Sequence, residues 1–153
     1  MKRNIITLLI TVFAMLQATA QTYDNLWKQA DIIAQKDQPK SEIGVMKKII
    51  SKASAAKDYG QLLAAEMRQM ILWKEISADS LTPNVKRMET EALRAKDPVL
   101  KAVRYAVLGK VYREVNGKKS EEFFKKALEQ PELLARNAST GYVPLTLKGV
   151  DGR

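Results

Sequence analysis

The stretch from Ala102 to Pro131 constrains the fold most strongly, because it reads as two amphipathic helices joined by a tight turn. One face of the first helix carries Tyr105, Leu108, Gly109 and Tyr112. One face of the second carries Phe123, Phe124, Ala127 and Leu128, after a break at Asn116-Gly117. A hairpin with apolar side chains on both sides cannot bury them alone, so it requires neighbouring helices.

Apolar residues at intervals of three and four extend this pattern over most of the chain and predict an all-α fold of about six helices in antiparallel hairpins. The first predicted helix covers residues 23–36, and the second runs from Ser41 to a turn at 57–60. The third, fourth and fifth cover residues 61–77, 83–96 and 98–116, and the sixth is capped by Ser120. Ser41, Thr82, Asp97 and Ser120 are the predicted N-caps.

The width of the apolar stripe predicts how deeply each helix is buried. Helix three has apolar residues almost all round, which predicts packing on more than one side. Its Met67 and Met70 favour a role as core filler over a pliable binding surface. Helix four has only the narrow stripe Val85, Met88, Ala92 and Leu93, so we expect it at an edge. We expect helix five to be the most buried.

The first 20 residues resemble a secretory signal peptide. Lys2 and Arg3 precede the apolar run from Ile5 to Leu16, and Ala18-Thr19-Ala20 offers small residues for cleavage before Gln21. We therefore expect export to the periplasm or cell surface, with an uncleaved anchor as the alternative. A membrane surface stays open as a partner, but no embedded segment is expected after cleavage.

The basic excess is made mainly of lysine. The chain carries a net charge of +9, which falls to +7 over 133 residues when Lys2 and Arg3 leave with the signal segment. Lys28, Lys36, Lys47, Lys48, Lys52 and Lys57 follow helical spacing and indicate solvated faces. The alternative is attraction to an acidic glycan or lipid headgroups. The sequence has no cluster of arginine and aromatic residues of the kind that would indicate a nucleic-acid partner.

Histidine and cysteine are both absent, which removes disulfides, Ser-His and Cys-His nucleophilic pairs and the usual zinc sites. No glycine-rich loop follows a strand. The remaining acid–base candidates are carboxylates such as Glu66 with Glu75, or Glu89 with Asp97, and these are expected at the surface. We predict no enzymatic activity, no cofactor and no metal site.

Gly109 lies inside a predicted helix, where glycine costs about 0.5–1 kcal/mol relative to alanine. Aromatic residues lie three and four places away on the same surface. This pattern favours a packing role, in which a second helix approaches the glycine closely, over chance tolerance.

The hairpin resembles one tetratricopeptide repeat, in which an aromatic, Leu-Gly and an aromatic are followed by a small residue, an aromatic, an alanine and a proline. The matching residues are Tyr105, Leu108, Gly109, Tyr112, Ser120, Phe124, Ala127 and Pro131. The turn is about one residue shorter than in that family, and serine replaces the usual alanine. The resemblance implies a short superhelix and protein binding.

The whole chain resembles the helical N-terminal region of exported alpha-2-macroglobulin-like proteins of Bacteroidetes. The matching segments are Tyr23–Lys28, Pro131–Ala135 and Tyr142–Leu145. The resemblance implies a protein-interaction or scaffold module at the leading end of a larger envelope protein. The bait segment and the thioester cysteine of that family are not in this sequence, so no functional residue is carried over.

A change of character after Pro131 predicts a short extended C-terminal tail. Residues 142–149 alternate as an edge strand would, with Pro144 restricting its pairing. We therefore divide the chain into a signal peptide (1–20), a helical repeat domain (21–131) and a tail (132–153) that could begin a β domain. The ligand, the groove residues and the oligomeric state stay open.

Overall fold

A computed structural model describes residues 23–77, 79, 81–113, 116–136 and 139–142, and this part of the chain is all-α. Seven helices pack against their neighbours, which is compatible with a helical repeat. They are α1 (23–34), α2 (Pro39–Ala56), α3 (Tyr59–Ile76), α4 (Leu81–Arg94), α5 (Pro98–Tyr112), α6 (Gly117–Ala127) and α7 (Pro131–Arg136).

Two pairs of helices form the predicted hairpins. Only two residues separate α2 from α3, and the two helices pack closely along their length. Helices α5 and α6 also pack closely along their length, and a short connection joins them. Short connections between packed helices give antiparallel neighbours, so the hairpin prediction is confirmed.

The helices enclose two apolar clusters. Cluster one joins α1, α2 and α3 and includes Tyr23, Trp27, Met46, Ile49 and Leu72. The Trp27 indole N–H also donates to Gln61 Oε1 at 2.7 Å, which ties α1 to α3. Cluster two joins α3, α4, α5 and α6, and its buried members are Met67, Met70, Val85, Met88, Ala92, Tyr105, Val107, Leu108, Phe123 and Ala127.

Helix α3 contributes to both clusters and has the most buried residues, from Leu62 to Met70 without a break. Its predicted packing on more than one side is therefore confirmed, as is the core position of Met67 and Met70. The expectation that helix five would be the most buried is wrong. Parts of α5 remain half-exposed because fewer neighbours surround it.

Ion pairs in the interior fasten α3 to its neighbours. Arg68 Nε donates to Glu42 Oε1 of α2 at 2.7 Å, and both side chains are buried. Arg104 of α5 donates to both oxygens of Glu66 at 2.9 and 3.2 Å. It also donates to Glu91 of α4 at 3.1 Å. Burial raises the pKa of the Glu66 carboxyl, an effect that the Arg104 guanidinium opposes.

Three of the predicted helix caps are wrong. Helix α2 begins at Pro39, two residues before Ser41, because a proline at the first position sacrifices no helical hydrogen bond. Thr82 lies within α4. Asn116 caps α6 in place of Ser120, accepting a hydrogen bond from the Lys119 N–H at 3.0 Å. Asp97 caps α5 as predicted, accepting from the Leu100 N–H at 2.9 Å.

Helix α4 has the narrow buried stripe that was predicted, with one exception. Val85, Met88 and Ala92 are buried, but Leu93 is 65 % exposed. Leu128, predicted on the buried face of the sixth helix, lies just past its end and is 63 % exposed. Two large apolar side chains that the periodicity assigned to the core therefore face solvent.

A 3-10 turn, Ser139–Tyr142, brings the chain back from α7 to pack on α3. Burial, helped by the Asp97 carboxylate and by Tyr59, raises the pKa of Tyr142 to about 12. Tyr142 was expected to begin the edge strand, and that assignment is wrong for this residue. The rest of the predicted strand and the signal segment lie outside the described residues, and the predicted domain boundaries stay predictions.

Candidate interaction surface on α4, α5, α6 and α7

Gly109 permits the close approach of α5 and α6. A Cβ atom built at this position would lie 2.8–2.9 Å from three ring atoms of Phe124, closer than such atoms approach in proteins. The Ser120 hydroxyl donates to the Gly109 carbonyl oxygen at 2.7 Å across the same contact. The packing role predicted for Gly109 is confirmed, and Ser120 joins the two helices from inside α6.

Aromatic rings fill the space between the two helices. Phe123 stacks on Tyr112 with ring centroids 5.5 Å apart and meets Tyr105 at 5.9 Å in a tilted arrangement. Leu108 and Ala127 are buried beside them. The residues that suggested a tetratricopeptide-like hairpin therefore lie together, and the face they present to α4 is set by rigid rings.

A polar cluster joins α4 to this hairpin beside the turn between α5 and α6. The Tyr112 hydroxyl donates to Glu89 Oε1 at 2.6 Å, and Lys119 Nζ donates to the same carboxylate and to the Tyr112 oxygen at 3.2 Å. Burial and the hydrogen bond to Glu89 raise the pKa of the Tyr112 hydroxyl. The Lys119 ammonium also lies 4.8 Å from the Tyr112 ring centre. These contacts fix the position of α4.

Groove 1 is a half-open depression of about 250 Å³ where α5, the end of α6 and α7 meet. Apolar side chains contribute to its lining, among them Ala102, Tyr105, Ala127 and Leu133. Lys101, Lys126, Glu129, Gln130 and Pro98 complete it.

Groove 2 is a second half-open depression, of about 220 Å³, on the other side of Tyr105. It lies between α4 and α6, and exposed Leu93 and the ring of Phe123 contribute its apolar surface. Its polar lining residues are Glu89, Lys119, Glu122 and Lys126. Tyr105 and Lys126 line both grooves, so the two depressions are neighbours, and we call them together the corner surface.

Most of the charged groups in the corner surface are already paired. Lys126 donates to Glu122 at 2.6 Å, and Lys119 pairs with Glu89 at 3.2 Å. A ligand that relied on these charges would have to break existing ion pairs. The corner surface is therefore suited to apolar contacts surrounded by a polar rim.

The carboxylate pairs considered as acid–base candidates do not come together. Glu66 is 3 % exposed and bound to Arg104, so its expected surface position is wrong, whereas Glu75 is exposed. Glu89 meets Tyr112 at the last residue of α5, while Asp97 caps the first turn. A 15-residue helix separates them by about 22 Å. Among the described residues, no group of three or more metal-ligating side chains occurs.

No residue was predicted from the sequence to line a groove, because each groove depends on how separate helices pack together. Lys101, Glu129 and Leu133 come from different helices and connections, and only their packing brings them together. Exposed Leu93 was assigned to a buried stripe. The one signal that pointed to this region was the aromatic pattern around Gly109.

The chain matches no protein-family model, and it has no significant match among curated proteins or solved structures. The resemblance to alpha-2-macroglobulin-like proteins therefore gains no support from relatives. In the described part of the chain, no helix is both long and apolar enough to cross a bilayer.

Proposed function

We propose that this protein is an exported, non-catalytic helical scaffold that binds a partner protein through the corner surface. The observation that carries the proposal is the pair of half-open grooves on either side of Tyr105, with apolar surface inside and mostly paired charges at the rim. Apolar anchors within a polar rim are the usual composition of a protein–protein contact.

The size of the grooves favours a polypeptide over a small metabolite. Sites for small molecules are clefts of about 300–1,000 Å³ that bury most of the ligand. Each groove is smaller, at about 250 and 220 Å³, and each is half-open. A single apolar or aromatic side chain of a partner fits such a depression, and two neighbouring side chains could occupy both grooves. Anchors of this kind supply most of the binding energy in many interfaces.

The exposed Leu93 side chain adds apolar surface beside groove 2. A leucine that is 65 % exposed gains free energy when a partner covers it. Lys101 supplies the one cation of groove 1 that has no ion-pair partner among the described residues. A partner segment with an apolar side chain followed by a carboxylate would therefore match groove 1.

The non-catalytic part of the proposal rests on the composition and on the separation of the carboxylates. Without histidine or cysteine, carboxylates are the groups left for proton transfer near neutral pH. The two pairs considered do not share a site, because Glu66 is bound to Arg104 and Glu89 lies at the opposite end of α5 from Asp97. Incubation with peptide and glycan substrates is expected to give no turnover.

Export rests on the N-terminal sequence, and membership of a larger alpha-2-macroglobulin-like protein rests on the three short segments that resemble that family. N-terminal sequencing of the natural product is expected to begin at Gln21. A product that begins at Met1 would contradict cleavage. The reading frame beyond Arg153 tests the second point, because codons for β-sandwich domains are expected there. A stop codon would leave a stand-alone helical module.

The docking proposal is tested by placing a photo-crosslinking amino acid at Leu93 and, separately, at Lys101, and irradiating the protein in its native envelope extract. Both positions lie in the corner surface, and exposed Lys47 on α2 serves as the control position. We expect the same partner protein to be crosslinked from both groove positions and not from Lys47.

Two arginine substitutions then decide whether the groove itself is occupied. Ala102→Arg fills groove 1, whereas Ala55→Arg places the same side chain on an exposed helical position of α2. We expect Ala102→Arg to abolish the crosslink from Lys101 and Ala55→Arg to leave it unchanged. Equal crosslinking from all three positions, or an unchanged crosslink after Ala102→Arg, would contradict docking at the corner surface.

A further inference from the structure

Helix α2 exposes a face that is basic and free of acidic side chains. Six of its exposed positions share one side of the helix at helical spacing, and all six carry lysine or a small residue; they are Lys40, Gly44, Lys47, Lys48, Ser51 and Ala55. Lys57 adds an exposed lysine at the C-cap, just past the last residue of the helix. We call these seven residues the α2 lysine face, and along α2 it extends for about 25 Å.

The lysines of this face have no ion-pair partner among the described residues, unlike three lysines of α6. Lys119, Lys125 and Lys126 of α6 each lie within 3.2 Å of a carboxylate oxygen. No ion pair involves Lys40, Lys47, Lys48 or Lys57 in the described part of the chain. The one acidic residue of α2, Glu42, is buried against Arg68 and cannot offset them.

Gly44 is the second unusual feature of the face. A mid-helix glycine costs about 0.5–1 kcal/mol relative to alanine. A Cβ atom added to Gly44 would meet nothing within 4 Å, so packing against the described residues does not account for the glycine. Together with Ser51 and Ala55, it keeps the helix surface low between the lysines, and the ammonium groups can therefore reach a common plane.

We propose that the α2 lysine face binds the surface of an anionic lipid bilayer. Two features favour a planar surface over a polyanionic chain. The face is one side of a single helix, which is convex and has no arginine to hold individual phosphate or carboxylate groups with paired hydrogen bonds. Lysines that act as point charges at a common level match the diffuse negative potential of a bilayer.

This binding is separate from the proposed protein docking. Helix α2 belongs to cluster one with α1 and α3, whereas the corner surface is built on α4, α5, α6 and α7. A protein attached to a bilayer through α2 could therefore still offer the corner surface to a partner. Failure of either proposal leaves the other standing.

Flotation of the full chain with vesicles tests the inference. The anionic vesicles contain phosphatidylcholine with about 30 % phosphatidylglycerol, and pure phosphatidylcholine vesicles report any binding through the apolar N-terminal segment. One variant replaces Lys40, Lys47, Lys48 and Lys57 by Gln. The matched control replaces four exposed lysines elsewhere, Lys86, Lys96, Lys110 and Lys118, and so has the same net charge.

We expect tight binding to anionic vesicles at low salt that falls steeply as salt is added. The α2 variant should bind at least ~100-fold more weakly, since each lysine near an anionic bilayer strengthens binding about fivefold. The control variant should lose less than about tenfold, because its lysines are not on the face that meets the lipid. Unchanged far-UV circular dichroism will show that both variants remain folded.

Three results would overturn the inference. Equal losses for the two variants would mean that net charge alone causes the binding. Equal binding to anionic and neutral vesicles would assign it to apolar insertion. Binding to heparin with none to the anionic vesicles would identify a polyanionic chain, and not a bilayer, as the ligand.

Discussion

At the scale of single residues, the contact between Gly109 and Phe124 determines how closely α5 and α6 pack. Three atoms of the ring lie within 2.9 Å of the point where the Cβ atom of any other residue would stand. A rigid aromatic ring cannot move aside as the tip of a flexible side chain can, so added volume here must displace a helix. The contact is local, but it positions Phe123 and Tyr105 and therefore shapes both grooves.

Two glycine substitutions should change stability in opposite directions. Gly109→Ala should destabilise the protein by about 1 kcal/mol, because overpacking against Phe124 outweighs the gain in helix propensity. Gly44→Ala has open space and should stabilise it by about 0.5–1 kcal/mol. Urea unfolding followed by circular dichroism measures both. A Gly109→Ala protein as stable as Gly44→Ala would show that the helices are not in close contact.

The sequence was informative about Gly109 because glycine inside a helix carries a cost that needs a reason. It was misleading about Ser120 and Glu66, since their roles depend on partners distant in the chain. Ser120 has the residue type of an N-cap, but Asn116 begins the helix and leaves Ser120 facing Gly109. Glu66 has the residue type of a surface position, but Arg104, 38 residues later, binds it in the interior.

At the scale of helices, Arg104 connects three elements. It joins α5 to Glu66 of α3 and to Glu91 of α4. Glu91 also accepts from Arg87 on its own helix, at 2.9 Å on the surface. The two arginines therefore share a carboxylate and differ in burial, which separates the contribution of a buried ion pair from that of an exposed one.

Replacing each arginine by methionine should distinguish the two settings. Arg104→Met leaves the Glu66 carboxylate buried without its partner and should cost about 3–5 kcal/mol. Arg87→Met removes an exposed pair between residues one helical turn apart and should cost about 0.5 kcal/mol or less. Urea unfolding at neutral pH checks both variants. Losses of similar size would contradict a buried network that connects α3, α4 and α5.

Helix number and approximate position followed from periodicity, whereas helix starts and relative burial did not. Asp58 was assigned to the turn at 57–60, yet it caps α3 by accepting a hydrogen bond from the Gln61 N–H at 3.3 Å. Pro39 lies before the predicted start of helix two, yet it begins α2. Proline and aspartate are typical both of turns and of first helical turns, so their type alone cannot decide. Burial depends on the number of neighbours, which is why α3 and not α5 is the most buried helix.

At the scale of the whole molecule, α3 joins the two hairpins because it packs in both apolar clusters. Its Leu62 and Leu72 lie in cluster one, and its Met67 and Met70 lie in cluster two. This arrangement leaves the α2 lysine face and the corner surface on different helices. Neither groove was predictable, because each is the space left between helices whose spacing and angles are not written in a local pattern.

The central claim is that α3 couples the two clusters into one cooperative unit, and hydrogen exchange of Met70→Ala tests it most directly. Met70 is 7 % exposed in cluster two, so its truncation should cost about 2–5 kcal/mol. The free energy of opening for the slowest amides of α2 should fall by the same amount as for those of α5. Met46→Ala, in cluster one, should give the reciprocal result. A loss confined to α5 and α6 in Met70→Ala, with α2 unchanged, would contradict the claim.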